Sequence, residues 1–245
     1  VGITGITLHN SHALIDGARI IASLDPTRPN ASVFALSLSG SEQASTARIS
    51  NSFVSGHGRG INVTSDAILD ISNTQVEGLA GSPGSGAVTG GAGVVIAGAS
   101  AYVREGSVVS GDNNGIVVFA HRTGTSEKGA KLVLDQSRVV GREGSAIKVI
   151  RTAASNEISH IEINNGSQLV GGNGVILEVA GDARANAVVN NSQLIGDITV
   201  DQEGTLDLAL APHASLTGSI TNATTLALDG TSTWTLTGDS SVDKL

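Results

Sequence analysis

Apolar and polar residues alternate along most of this chain in runs of four to six, each closed by Gly, Asn, Ser or Asp, and helical periodicity is nearly absent. Period-two alternation bounded by turn residues predicts strand after short, half-buried strand. The runs share a template: an alternating stretch, Asn or Ser, a β-branched or Leu pair, Gly, a few turn residues, and a second apolar run. Residues 47–56 follow it and lead to Ile61-Asn62-Val63. Residues 132–141 lead likewise to Ala146-Ile147-Lys148-Val149, residues 161–171 to Val175-Ile176-Leu177, and residues 188–196 to Ile198-Thr199-Val200.

Gly56, Gly78, Gly111, Gly141, Gly171, Gly196, Gly218 and Gly238 mark the repeat, separated by 22, 33, 30, 30, 25, 22 and 20 residues. A variable period of this size predicts stacked coils with insertions. One unit of two or three strands cannot bury its own apolar face, so it must stack on its neighbours. The expected fold is all-β, a parallel β-helix solenoid in one domain over residues 1–245. With neighbouring strands ~4.8 Å apart, roughly ten coils would make a rod on the order of 50 Å long. A β-sandwich is the structural competitor, but it does not predict one template repeated in register. Asn51, Asn73, Asn165 and Asn191 recur at turns. Asn tolerates left-handed backbone and bonds neighbouring amides, so these residues should stack into a ladder.

Three spacers occupy one slot, after the second strand of a coil: residues 120–129, 150–158 and 180–186. Equivalent slots stack in a solenoid, which places His121, Arg122, Lys128, Arg151 and Arg184 on one ridge. These spacers are either solvated loops, tolerated because closure entropy grows slowly with length, or a partner-binding ridge. A second, Gly-rich insertion, residues 78–93, sits at a different turn and is expected to be mobile.

Composition sharpens this picture. Hydrophobic residues make up 40% of the chain but aromatics only 2%, so Val, Ile, Leu and Ala must fill the interior. The formal charge is −8 with no basic run, which argues against a nucleic-acid partner. No apolar stretch reaches bilayer-spanning length. Without Cys there is no disulfide framework, thiolate metal site or cysteine nucleophile. Without Met, the chain is expected to be a processed or excised portion of a longer one.

From Gly196 onward the coils shorten, through Leu206-Asp207-Leu208-Ala209-Leu210 and Leu216-Thr217-Gly218. The chain ends Leu226-Ala227-Leu228-Asp229-Gly230-Thr231-Ser232-Thr233-Trp234-Thr235-Leu236, followed by a small polar turn and Val242-Asp243-Lys244-Leu245. This resembles the late passenger region of pertactin-like autotransporters, in which such a Trp-containing strand and Val-x-x-Leu open the C-terminal folding segment, here residues 226–245. The resemblance implies a right-handed parallel β-helix displayed at the surface of a Gram-negative cell after export through a C-terminal outer-membrane β-barrel. It further implies an adhesin or virulence factor whose partner is a host or neighbouring-cell surface protein. Pertactin's Arg-Gly-Asp has no counterpart, since Gly58-Arg59-Gly60 lacks the Asp. Self-association between rods is an alternative to such a partner. Trp234 is expected to pack near the rod's end.

An enzyme is the remaining class. Gly56-His57-Gly58 resembles a motif of polygalacturonase-type glycosidases, yet glycoside hydrolysis needs two converging carboxyl groups. No Asp lies between Asp25 and Asp66, so His57 is expected to be a turn residue flanked by glycines. Asp66 and Asp70 lack a third acid for Ca²⁺, and Gly111-Asp112-Asn113-Asn114-Gly115 occurs once and reads as a turn. His9 and His12 make a weak metal pair. No catalytic, metal or cofactor site is expected.

Overall fold

In a computed structural model, residues 3–25, 27, 32–41, 43–80, 88–123, 126–152 and 156–245 are described, with the backbone alone at residues 122, 123, 126 and 127. The described residues form 28 strands and no helix. Almost every strand pairs in parallel with strands one pass of the chain away, which is consistent with a β-helix or solenoid. Face one is a ten-stranded sheet running from His12–Asp16 through Thr46–Ser50, Ile68–Ser72, Ser100–Arg104, Lys131–Asp135 and onward to Val242–Lys244. Face two contains Arg19–Ala22, Gln75–Leu79, Val108–Gly111, Arg138–Gly141 and Gln168–Gly171. Face three contains Val33–Ser39, Ala92–Ala97, Ile116–Thr123, Ile147–Arg151, Val175–Val179 and Asp197–Val200. The twelve-residue strand Phe53–Thr64 runs through both, joining faces two and three into one fifteen-stranded sheet. His57 therefore lies within a strand, in register with Leu79, and not in the turn its flanking glycines predict.

Alternation builds the core. On face one, Ala47, Leu69, Ala101, Leu132 and Ile161 stack in register, as do Ile49, Ile71, Val103, Leu134 and Ile163, all buried. No aromatic side chain is fully buried among the described residues, so aliphatic columns fill the interior as composition predicts. The rings face outward, where Arg19 lies 4.5 Å from the Phe53 ring centroid, Arg59 4.9 Å from Phe34 and Arg104 4.8 Å from Tyr102. Half-buried Trp234 packs on the core at the last strand of its face and donates from Nε1 to the Gly218 carbonyl at 3.0 Å.

Three corners connect the faces. At the first, Asn51, Asn73, Asn165 and Asn191 have φ between 42° and 54°, the left-handed region expected of them. Asn73 Nδ2 donates to Asn51 Oδ1 at 2.8 Å and Asn51 Nδ2 to Asp16 Oδ1 at 2.8 Å. The ladder then breaks, because Glu105 and Gln136 occupy the same corner with φ of 53° and 50°. It resumes as Asn165 donates to Asp135 at 2.8 Å. Bonds from Ser50 and Asn51 hold the exposed Asp16 carboxyl below its ordinary value.

The second corner is the glycine marker. Gly56, Gly78, Gly111, Gly141 and Gly171 stand in one register column. A β-carbon on any of them would overlap a backbone carbonyl on the far side of the turn, such as that of Ala92 for Gly78 or Asn114 for Gly111. The recurring Gly is thus required by the tightness of the turn from face two to face three. The third corner returns the chain to face one and carries the spacers at residues 120–129 and 150–158.

Candidate binding surface

Backbone bonds trace the third corner along the stack. Gly40 N donates to Ser65 O, Asp66 N to Gly98 O and Gly98 N to Phe119 O, at 3.0, 3.2 and 3.0 Å. Further along, Thr152 Oγ1 donates to the Ala120 carbonyl at 3.4 Å and Ala180 N to Val149 O at 2.9 Å. The spacers at residues 120–129 and 150–158 therefore occupy successive levels of one corner, in the slot that the repeat assigns them.

Their form differs from the open loops of the sequence reading. The first is a β-hairpin in which Ile116–Thr123 continues past face three and pairs antiparallel with Ser126–Lys128, matching His121 to Lys128 and Arg122 to Glu127. Residues 124 and 125, and residues 153–155 of the second spacer, lie outside the described residues. The third spacer is shorter than expected. Arg184 already belongs to the strand Arg184–Asn190, so only a tight turn remains, closed by Ala183 N on Ala180 O at 3.3 Å.

The side chains follow. His121 is half-buried, edge-on to Phe119 with ring centroids 6.4 Å apart. Lys128 forms an ion pair with Asp66, two corners below past Gly98, and Arg151 one with Asp182 of the next pass. Arg151 also donates to Asn156 Oδ1 and Arg184 to the Asn156 carbonyl, both at 3.5 Å, while the Arg151 Nε is buried with no hydrogen-bond partner among the described residues. Arg122 is placed by its backbone alone, opposite Glu127. The corner is thus a line of mixed, paired charges instead of a bare cationic ridge. Asp66, Asp182 and Asn156 are the residues that sequence reasoning missed, since the pairings with Asp66 and Asp182 join separate passes and no local spacing announces them.

Residues weighed for chemistry disperse. His9 Nδ1 meets Ser39 Oγ at 3.0 Å and His12 Nδ1 meets Thr46 Oγ1 at 2.7 Å, on either side of a left-handed Asn10. Asp70 sits mid-strand against Arg104 at 3.3 Å, whereas Asp66 sits at the insertion corner. Asp112 accepts from Arg142 at 2.6 Å and from the Ala80 amide at 2.8 Å, bracing the Gly111 turn. The Gly-rich insertion is described only at its two ends. Near its C-terminal end, Thr89 accepts from half-buried Arg59 at 2.7 Å, so that end is packed down, while residues 81–87 lie outside the described residues.

No family model matches the chain, and a search of curated proteins finds no match to it.

Proposed function

We propose that this chain is a length of right-handed parallel β-helix, roughly ten coils, from the surface-displayed passenger of a pertactin-like autotransporter. In this reading it is a non-enzymatic binding module that meets a host or neighbouring-cell surface protein through its insertion corner. The observation that carries the proposal is the stacking of the spacers at residues 120–129 and 150–158 on one edge of a rigid sheet. A repeat whose insertions stack at successive levels of one corner presents a continuous contact line, and loops held by a rigid scaffold are where recognition concentrates. Mixed charges along it, from Lys128, Asp66, Arg151 and Asp182, suit a protein surface better than a polyanion. The shortened passes ending in Trp234 supply the family resemblance, and with it the cell-surface location and the β-barrel translocator in the longer protein.

The test replaces both spacers with minimal turns. Adhesion of host cells to the immobilised chain should fall to background while the far-UV β spectrum stays unchanged. Undiminished adhesion by the trimmed chain would remove the insertion corner from consideration, and concentration-dependent sedimentation of the intact chain would favour rod-to-rod association instead.

A further inference from the structure

Face two comes apart where the passes shorten. Gln168–Gly171 ends the fifteen-stranded sheet, Gln193–Ile195 begins a separate three-stranded one, and these successive turns of one face do not pair. Chain length is the cause. Gly141 to Ile147 and Gly171 to Leu177 each span six positions round the glycine corner, whereas Gly196 to Ile198 spans two. Yet Ile147, Leu177 and Ile198 are register partners, and the pairing slips at Ile176 to allow it. The smaller pass cannot cover the strand beneath it and leaves a ledge, an open cleft of about 840 Å³.

The ledge has a directional chemistry. Gln168 N donates to Ser137 O at 2.8 Å and Gly172 N to Gly141 O at 2.7 Å, both toward the preceding pass. Backbone groups alternate sides along a strand, so the amides of Leu169 and Gly171 point at the ledge. Beside them Ile195 is 75% exposed and Val170 37%. The wall includes Ile176 and His213 and contains no Asp, Glu, Lys or Arg. Sheet edges in natural proteins are often guarded by Lys, Pro or a bulge, and the four-residue edge Gln168–Gly171 carries none of these three.

We propose that the ledge binds an extended, uncharged segment of a partner protein, which adds to Gln168–Gly171 as a further strand and packs an apolar side chain against Ile195. An unpaired strand edge is satisfied by another extended backbone, and an apolar wall beside it favours that over water. A lining without Asp, Glu, Lys or Arg would desolvate a charged segment with no fixed charge to pair it. Four residues, about 13 Å of strand, fill the site. This surface is independent of the insertion corner.

A suitable probe is the capped hexapeptide Gly-Ser-Val-Val-Ser-Gly, the sequence of residues 106–111, which occupies this same face two passes earlier. Added to the full chain, it should slow amide exchange at Leu169 and Gly171 and shift the Ile195 methyl resonances. Ile195→Lys should weaken its binding at least tenfold. Ile21→Lys, at a residue 48% exposed on the same face, should leave it unchanged. Both substitutions are at exposed positions and retain the fold. Unaltered exchange at Leu169 and Gly171, or equal binding by the Ile195→Lys chain, would overturn the proposal. So would a dimer of the chain that Ile195→Lys dissolves, since the occupant would then be a second copy.

Discussion

Gln136 holds a backbone conformation that Asn holds elsewhere in the same corner, with φ of 50° against 54° at Asn165. Left-handed backbone costs an ordinary L-residue roughly 1 to 2 kcal/mol, and Asn recovers part of this by bonding locally. Gln136→Asn should therefore stabilise the chain by about 0.5 to 1 kcal/mol, read as a higher urea midpoint with an unchanged slope. A lower midpoint would mean that the Gln136 side chain contributes more than its backbone forfeits. The Asn positions themselves were legible in the sequence because a residue type recurred at a fixed place in the template. Glu105 and Gln136 were not, because neither residue type signals a left-handed turn.

Between consecutive strands the corners are joined by a second column, of buried hydroxyls. Ser52, Thr74, Ser107, Ser137, Ser167 and Ser192 follow the left-handed residue of successive passes, each 8% exposed or less. Ser107 Oγ donates to the Arg104 carbonyl at 2.6 Å and accepts from the Thr74 amide at 3.2 Å, tying one pass to the next. Ser107→Ala leaves the Thr74 amide buried and unpaired, while the Arg104 carbonyl keeps the Ser107 amide at 3.1 Å, and this should destabilise the chain by about 1 to 3 kcal/mol. Lys128→Ala, which breaks an ion pair exposed on both sides, should cost about 0 to 1 kcal/mol. Chemical denaturation of the two variants side by side checks the ordering, and equal losses would contradict it. That ordering matters for function, since the insertion corner can then vary its charges without loosening the stack.

Across the whole molecule, stability in a stacked repeat is a sum over neighbouring passes, so a place where fewer bonds cross is a boundary between cooperative blocks. The ledge is such a place: face two is unpaired there, while face one continues through Ser159–Asn164, Arg184–Asn190 and Thr205–Leu210. Native-state hydrogen exchange is expected to resolve two blocks that meet between residues 167 and 196. A single exchange isotherm spanning both would show that faces one and three couple them fully.

The alternating strands, the aliphatic interior, the glycine column, the Asn corner and the shared slot of the insertions were all readable from the sequence. Each depends on a residue's own pass and on the rule that equivalent positions stack. What the tertiary structure alone decided was how neighbouring passes meet: that Lys128 and Arg151 find Asp66 and Asp182, that one insertion is a hairpin, and that a corner shortened after Gly196 opens a ledge at Ile195. A one-dimensional pattern specifies where each turn falls, but charges and gaps between turns depend on the relative lengths of two passes and on side chains about 20 to 60 residues apart, which are compared only once the stack has formed.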